Sequence, residues 1–90
     1  MRASTYSGQF RRDVALAKRR GKDLAKLRHV LQLLIDGSPL PPRLRDHPLK
    51  GEWRGWRDLH IEPDWLLVYT ASATKIRFER TGTHADLFDE

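Results

Sequence analysis

The sequence contains no cysteine among its 90 residues, which excludes a disulfide framework and a thiolate metal site. Its longest apolar runs, residues 33–35 and 65–68, fall far short of the roughly 20 residues that a membrane-spanning helix needs. The first 13 residues lack the apolar core of a secretory signal. The zinc-enzyme spacings HxH, HxxxH and HExxH are also missing. We therefore expect a cytoplasmic protein with no membrane anchor.

The chain is long enough for one domain, which covers residues 1–90. Positive charge is unevenly distributed along it. The net charge is +5, but residues 1–57 hold 14 basic and 5 acidic residues, whereas residues 58–90 hold 3 and 7. This asymmetry indicates a surface that binds a polyanion, with nucleic acid as the first candidate. Solvated cations on helix surfaces explain the charge equally well, so both interpretations stay open.

Two amphipathic helices are predicted in the first 37 residues, after a short β-prone segment at residues 3–6. Ser7 is a suitable N-cap for the first helix, which ends at Gly21. Asp23 and Gly37 bound the second helix. The two apolar stripes predict a helical hairpin that packs on a sheet; they consist of Phe10, Val14 and Ala17 and of Leu24, Leu27, Leu31 and Leu34.

Three strands are predicted after a proline-rich connector at residues 38–48. They cover residues 56–61, 65–70 and 75–81, and a short tail follows at 84–90. Trp56 and Trp65 are expected in the core. The predicted fold is α+β, with a small antiparallel sheet in β-α-α-β-β-β order and the helical hairpin on one of its faces.

Three histidines lie at the edges of predicted elements: His47, His60 and His84, with Asp64 in the turn after His60. Histidine titrates near neutral pH, so clustered imidazoles can take up and release protons. One chemistry that fits is RNA cleavage, in which the 2′-hydroxyl attacks the adjacent phosphate.

Cations would stabilise the charge of the phosphorane in such a reaction, and the sequence offers several of them. The candidates are Lys50, Arg54 and Arg80. Four further cations on the first helix are expected to bind RNA phosphates and steer the chain to its polyanion, and they are Arg11, Arg12, Lys18 and Arg19. A metal site made of His60, His84 and Asp64 is a second possibility, disfavoured by the spacing. In a third interpretation the histidines are surface residues that bind nothing.

Phe88 follows the last predicted strand, four positions after His84. An aromatic side chain there can stack on an unpaired RNA base. It can equally well pin the tail to the sheet, so the sequence leaves both roles open.

Four segments give nearly the whole chain a family likeness. They are the helical segment GQFRRDVALAKRRGKDLAKL and the shorter segments LKG, HIEPDWLL and RTGTH. The chain closely resembles the YafQ-like toxins of the RelE/ParE superfamily of type II toxin–antitoxin systems. The resemblance implies a RelE-like fold and an endoribonuclease that cuts messenger RNA in the A site of the 70S ribosome, with no metal or other cofactor. It also implies a small DNA-binding antitoxin as partner, and contact with operator DNA through the toxin–antitoxin complex.

The catalytic residues that the resemblance implies are His47, His60, Asp64, His84 and Phe88. We expect Asp64 and His60 to act around the attacking hydroxyl and His84 to be the general acid. His47 and Lys50 would then hold phosphate charge. The alternatives are a ParE-like toxin that binds gyrase without catalysis, and a basic nucleic-acid-binding module.

Overall fold

Helices and strands follow one another largely as predicted in the computed structural model, which describes residues 1–88. The strands of this part are β1 Ala3–Tyr6, β2 His47–Pro48, β3 Arg57–Glu62, β4 Trp65–Ala71 and β5 Lys75–Gly82. Its α-helices are α1 Gly8–Arg19, α2 Leu24–Asp36 and α3 His84–Phe88. The α+β class is confirmed. The prediction missed β2 and α3, and the last two residues of the predicted tail lie outside the described residues.

The ends of α1 and α2 are set by the residues that the sequence indicated. The Ser7 side chain accepts a hydrogen bond from the backbone N–H of Phe10 at 2.8 Å, and its hydroxyl donates to the carbonyl of Glu79 on β5 at 2.7 Å. Asp23 caps α2 by accepting from the N–H of Ala25 at 2.9 Å. Gly37 ends α2 in the left-handed region with φ 69°, which glycine adopts without a Cβ clash.

The sheet has the strand order β1-β5-β4-β3-β2. Neighbouring strands from β2 to β5 are antiparallel, as predicted for β3, β4 and β5, but β1 runs parallel to β5, with Ala3 opposite Lys75. The sheet is therefore mixed, and the prediction of a purely antiparallel sheet was wrong for β1. The helical hairpin that follows β1 makes this possible, because a parallel pair needs a long crossover between its strands.

The helical hairpin covers one face of the sheet and forms the main core with it. Leu34 and Phe10 of the helices are 3 % exposed, and Leu67 and Phe78 of the sheet are fully buried against the same cluster. Trp65 is also fully buried, beside Ala17 and Leu27, and its indole N–H donates to the Thr81 hydroxyl at 3.0 Å; this completes the main core.

A second apolar cluster lies on the opposite face of the sheet. Leu66 and Val68 of β4 alternate with the residues that face the helices, and Leu87 of α3 covers them. Trp53, Trp56 and Phe88 are partly buried at the margin of this cluster. Trp56, which was predicted in the core, is only partly buried, and it packs against this second cluster just before β3 begins. No helix within residues 1–88 is long and apolar enough to cross a membrane.

Candidate active site

Three histidines come together on the sheet face that the helical hairpin leaves open. Asp58 and His60 alternate along β3 with Leu59 and Ile61, whose side chains face the helices. The ring centroids of His47 and His60 are 6.3 Å apart, and those of His60 and His84 are 5.7 Å apart. Pairing of β2 with β3 brings His47 opposite Asp58, and α3 delivers His84 directly after β5.

Asp64 holds His84 at the turn between β3 and β4. Its Oδ1 oxygen lies 2.9 Å from the backbone nitrogen of His84 and 2.6 Å from Nδ1 of the same residue. The backbone hydrogen bond and the contact with the ring lower the pKa of the Asp64 carboxyl, so this group is ionised at neutral pH. The expected partnership of Asp64 with His60 is therefore replaced by one with His84, because α3 begins beside the turn.

Backbone carbonyls orient the other two imidazoles. Nδ1 of His47 lies 2.7 Å from the carbonyl oxygen of Arg45, and Nδ1 of His60 lies 3.2 Å from that of Pro63. A carbonyl can only accept a hydrogen bond, so in each ring the proton is on Nδ1 when the imidazole is neutral. The Nε2 atom of His60 then keeps a free lone pair, whereas Nε2 of His47 lies 2.9 Å from the Asp58 carboxylate. Arg45 takes a left-handed conformation with φ 50°, which is uncommon for a residue other than glycine.

The segment that carries His47 is fastened to the sheet by Asp46. Its carboxylate accepts hydrogen bonds from the Arg57 guanidinium at 2.8 Å and from the Tyr69 hydroxyl. Burial and the neighbouring Asp46 carboxylate raise the pKa of Tyr69 well above its usual value, so the hydroxyl keeps its proton and remains a donor. The hydrogen bonds of Asp46 to Arg57 and Tyr69 anchor the two-residue strand β2, which is too short to hold its own position.

Asp58 is a site residue that sequence reasoning missed. Its side chain is only 5 % exposed, and its Oδ1 oxygen lies 2.9 Å from Nε2 of His47. That distance suits an ion pair, but the atoms are not aligned for a hydrogen bond, and Oδ1 has no hydrogen-bond partner among residues 1–88. Burial raises the pKa of the Asp58 carboxyl, and the three nearby histidines oppose the rise. Its spacing of two from His60 on a strand was the signal available in the sequence.

An open groove of about 340 Å³ runs past these groups. Lys50 supplies a cation to its lining, and Phe88 closes one side. The Phe88 ring meets Trp53 edge to face, with centroids 6.2 Å apart, so it both lines the groove and packs on the sheet. Basic, titratable and aromatic groups thus surround one concave surface, which is lined by His47, Leu49, Lys50, Trp53, Asp58, His60, His84 and Phe88.

The helix α3 that carries His84 and Phe88 is tied to α1 by an ion pair. Arg20 donates to the Asp86 carboxylate at 2.6 Å, and Asp86 also accepts from the backbone N–H of Thr83 at 3.0 Å. The hydrogen bond from Arg20 has the largest effect on the pKa of Asp86, and together with the bond from Thr83 it lowers this pKa to about 2. Gly82 leaves room for this carboxylate, since a Cβ atom there would lie 2.9 Å from Asp86 Oδ2.

Several of the predicted phosphate-binding cations lie away from the groove. Arg80 contacts the buried Asp13 of α1 at 2.8 Å, and the N–H of Thr81 donates to the same carboxylate, so Arg80 joins helix to sheet. Arg54 is exposed on the turn next to the groove and does not line it. The cations of α1 belong to the helical layer on the other side of the sheet; they are Arg11, Arg12, Lys18 and Arg19.

Metal-ligating atoms gather around Asp58 rather than Asp64. Within residues 1–88, one such atom from each of His47, Asp58 and His60 lies within 4.8 Å of the other two. The set considered from the sequence, His60, His84 and Asp64, is not of this kind, because Asp64 is engaged by His84.

A family of known toxins shares this arrangement of fold and sequence. The model of the family described as bacterial toxin of type II toxin-antitoxin system, YafQ, matches residues 2–89. The chain belongs to the YafQ family. The mRNA interferase toxin YafQ of Escherichia coli K12 is 55 % identical to it over 84 residues, which make up 92 % of this chain and 91 % of that protein.

Solved structures of YafQ confirm the fold. The crystal structure of YafQ from E. coli BL21(DE3) superposes with a TM-score of 0.93 at 52 % identity, covering 98 % of this chain and 99 % of that one. YafQ in the E. coli DinJ–YafQ toxin–antitoxin complex superposes with a TM-score of 0.90 at 53 % identity, covering 97 % of each chain. The predicted RelE-like α+β architecture and the resemblance to YafQ-like toxins are thereby confirmed.

Proposed function

We propose that this chain is an mRNA interferase, an endoribonuclease that acts in the cytoplasm on messenger RNA held in the ribosomal A site. The observation that carries the proposal is the convergence of His47, His60 and His84 on one groove, with a separate carboxylate at each end of the cluster. A protein that only binds gyrase or nucleic acid has no need of three oriented imidazoles.

His60 is the proposed general base. The carbonyl of Pro63 holds its Nδ1, so the Nε2 lone pair of the neutral ring is free to take the proton of the 2′-hydroxyl. The hydroxyl oxygen then attacks the adjacent phosphorus, and a new bond forms between that oxygen and phosphorus. This role needs an imidazole that is unprotonated before the reaction, and among residues 1–88 the Nδ1 atom of His60 contacts a backbone carbonyl rather than a carboxylate.

His84 is the proposed general acid. Asp64 contacts its Nδ1 at 2.6 Å and stabilises the charged ring, so Nε2–H can be given to the departing 5′-oxygen. The bond between phosphorus and the 5′-oxygen breaks, and a 2′,3′-cyclic phosphate remains. Asp64 contacts the proposed acid, His84, whereas Asp58 faces His47, which is not the proposed base.

Lys50 and His47 are the proposed electrostatic stabilisers of the phosphorane, since both line the groove and carry or can acquire positive charge. Phe88 is proposed to stack on a base beside the scissile phosphate. The ribosome-bound codon would hold the 2′-hydroxyl in line with the leaving oxygen. Such positioning is worth several orders of magnitude in rate, so isolated RNA should be cut poorly.

An antitoxin is the proposed inhibitory partner. The E. coli relative with 53 % identity has been solved in complex with the antitoxin DinJ. A small DNA-binding antitoxin encoded beside this chain would cover the groove or hold it away from the ribosome. Through that partner the complex would contact operator DNA.

The experiment is cleavage of ribosome-bound messenger RNA by the purified toxin, with and without EDTA, followed by end-group analysis. We expect cleavage to persist in EDTA that leaves the ribosomes intact, and to leave a 2′,3′-cyclic phosphate or a 3′-phosphate. A 2′-deoxy nucleotide at the scissile position should be bound and not cut. A 5′-phosphate product, or cutting of the 2′-deoxy substrate, would overturn the mechanism.

A further inference from the structure

A second concave surface shares His60 with the groove described above. It has a volume of about 430 Å³, which is within the usual range of ligand-binding pockets. His60 lines both surfaces, whereas His84 lines the first groove and not the second. We call the second surface the flanking groove, and its lining consists of Arg43, Arg45, His60, Ile61, Glu62 and Pro63. The two grooves therefore meet at the proposed base.

The flanking groove is open because the sheet ends beside it. The strand β2 pairs with only the first two residues of β3, so the edge of β3 from His60 onwards carries no further strand within residues 1–88. Opposite this edge lies the short 3₁₀ turn Pro42–Leu44, which the buried side chain of Leu44 anchors in the main core. Arg43 and Arg45 precede and follow Leu44, so a fixed segment presents both of them to the flanking groove.

Arg43 and Arg45 are exposed cations that form no ion pair within residues 1–88. Arg57 and Arg80, by contrast, are each neutralised by an aspartate. Glu62, the carboxylate in the lining, is already paired with two lysines at 3.0 and 2.9 Å, so it does not cancel the charge of the two arginines. The flanking groove thus offers two guanidinium groups to an anion. A guanidinium suits phosphate, because it can donate two parallel hydrogen bonds to the phosphate oxygens.

The backbone of Arg45 is held in an unfavourable conformation. Its φ of 50° lies in the left-handed region, which glycine and asparagine adopt more readily than arginine. The Arg45 carbonyl contacts Nδ1 of His47 at 2.7 Å, but any residue with this backbone conformation could supply that carbonyl. Strained residues are found where a function requires them. An arginine at this position therefore indicates a role for its side chain, which lines the flanking groove.

We propose that Arg43 and Arg45 bind the RNA phosphate on the 5′ side of the nucleotide whose 2′-hydroxyl attacks. The direction of the strand rests on the function proposed above. His60 takes the proton of that 2′-hydroxyl, and His84 gives one to the 5′-oxygen of the next nucleotide, so the strand runs 5′ to 3′ from His60 towards His84. The flanking groove contains His60 and not His84, so it receives the 5′ neighbour. Phosphate contacts of this kind fix the register of the strand, and here they select the nucleotide that reaches the histidines.

The test measures binding without cleavage, on ribosomes that carry a synthetic messenger RNA with 2′-deoxy nucleotides at the scissile position and at the position before it. In a second messenger an uncharged methylphosphonate replaces the phosphate 5′ of the scissile nucleotide. We expect this replacement to weaken binding of the wild type by about tenfold, the effect of losing a hydrogen-bonded ion pair. The double variant Arg43→Gln/Arg45→Asn should bind both messengers equally.

Asparagine tolerates the left-handed conformation of Arg45, so the double variant should keep its backbone, which circular dichroism checks. Arg28→Gln, at an exposed position of α2, is the matched control and should be as sensitive to the methylphosphonate as the wild type. If the double variant is also as sensitive as the wild type, the arginines do not bind this phosphate and the proposal is overturned, whatever the enzyme does to RNA.

A third messenger carries the methylphosphonate one phosphate to the 3′ side of the scissile one. Insensitivity of the double variant to this replacement, in place of the first, would mean that the strand runs in the opposite direction. That result would overturn the proposed 5′ position together with the assignment of His60 as base. Cutting of the 2′-deoxy messenger, seen directly on a gel, would overturn the proposed mechanism and the direction derived from it.

Discussion

One oxygen of Asp64, Oδ1, receives both the backbone N–H of His84 and the Nδ1 nitrogen of its ring, at 2.9 and 2.6 Å. The backbone contact fixes where α3 begins, and the ring contact fixes how the imidazole is turned. The carboxylate is therefore a positioning group for the general acid. Its depressed pKa keeps it charged while His84 carries a proton.

Removal of either partner should abolish most of the cleavage. We expect His84→Ala and Asp64→Ala each to lower kcat by roughly the 10²–10⁴-fold typical of a positioned acid or base. Asp36→Ala, on the exposed end of α2, removes a carboxylate elsewhere and should leave kcat unchanged. The measurement is single-turnover cleavage of ribosome-bound messenger RNA. Wild-type rates in both site variants would contradict the assignment.

Phe88→Ala should have a smaller effect than loss of His84. Stacking on an RNA base contributes roughly 1–3 kcal/mol, so cleavage should fall by about 5–150-fold. Phe88→Leu keeps the contact with the apolar cluster around Leu87 and loses the aromatic face, which separates packing from stacking. If Phe88→Leu cleaves like the wild type, the ring only packs on the sheet.

Leu34→Ala should cost roughly 2–5 kcal/mol in the free energy of unfolding, because Leu34 is 3 % exposed in the main core. Leu31→Ala should cost less, since that side chain is only partly buried. Gln32→Ala, on the exposed face of the same helix, is the matched control. Urea denaturation of the three variants checks the order. Equal stability of Leu34→Ala and Gln32→Ala would refute the packing of the hairpin on the sheet.

The Arg20–Asp86 ion pair should make the fold sensitive to acid. The pKa of Asp86 is lowered from the usual 3.8 to about 2, so the ionised group stabilises the fold fully above the usual value. That contribution is lost as the pH falls through about 2. The difference in stability between wild type and Asp86→Asn should therefore be constant from pH 7 to about 5 and shrink towards pH 2. A difference in stability that increased as the pH fell would contradict the stabilising role of this ion pair.

Cations of α1 should steer the toxin to the ribosome from the side away from the groove. Charge reversal at Arg11 and Arg12, or at Lys18 and Arg19, should weaken ribosome binding and reduce its dependence on salt. The catalytic step should be unaffected once RNA is bound, because these residues lie across the sheet from the histidines. Reversal of Lys75 and Arg77 on β5 is the control outside the basic segment. Unchanged affinity in both α1 variants would identify these cations as solvated surface.

The helices and their caps could be predicted because their signals are local. Ser7, Asp23 and Gly37 act at the positions read from the sequence, and the apolar stripes face the sheet. Strand pairing across the chain has no such signal. The segment of β1 was predicted, but its parallel pairing was missed because its partner β5 lies far away in the sequence. The strand β2 was missed because it has only two residues, at the end of the proline-rich connector.

The residues of the candidate site could be predicted from the sequence, but the contacts among them could not. His47, His60, Asp64, His84 and Phe88 do lie around one region of the sheet. Asp58 escaped notice because a charged residue in a strand next to basic residues looks solvent-exposed, whereas pairing with His47 buries it. Arg80 looked like a free cation because Asp13 is distant along the chain.

The parallel pairing of β1 with β5 also sets when the protein can fold during its own synthesis. Ribosomes make β1 first, yet its partner strand is among the later elements, and the Ser7 cap of α1 also bonds to that strand. Contacts so distant along the chain form slowly and only after both segments have emerged. His84 follows β5 directly, so the proposed acid is translated after the strand that closes the sheet. The nascent chain therefore cannot form the folded nuclease on the ribosome that translates it until β5 has left the exit tunnel.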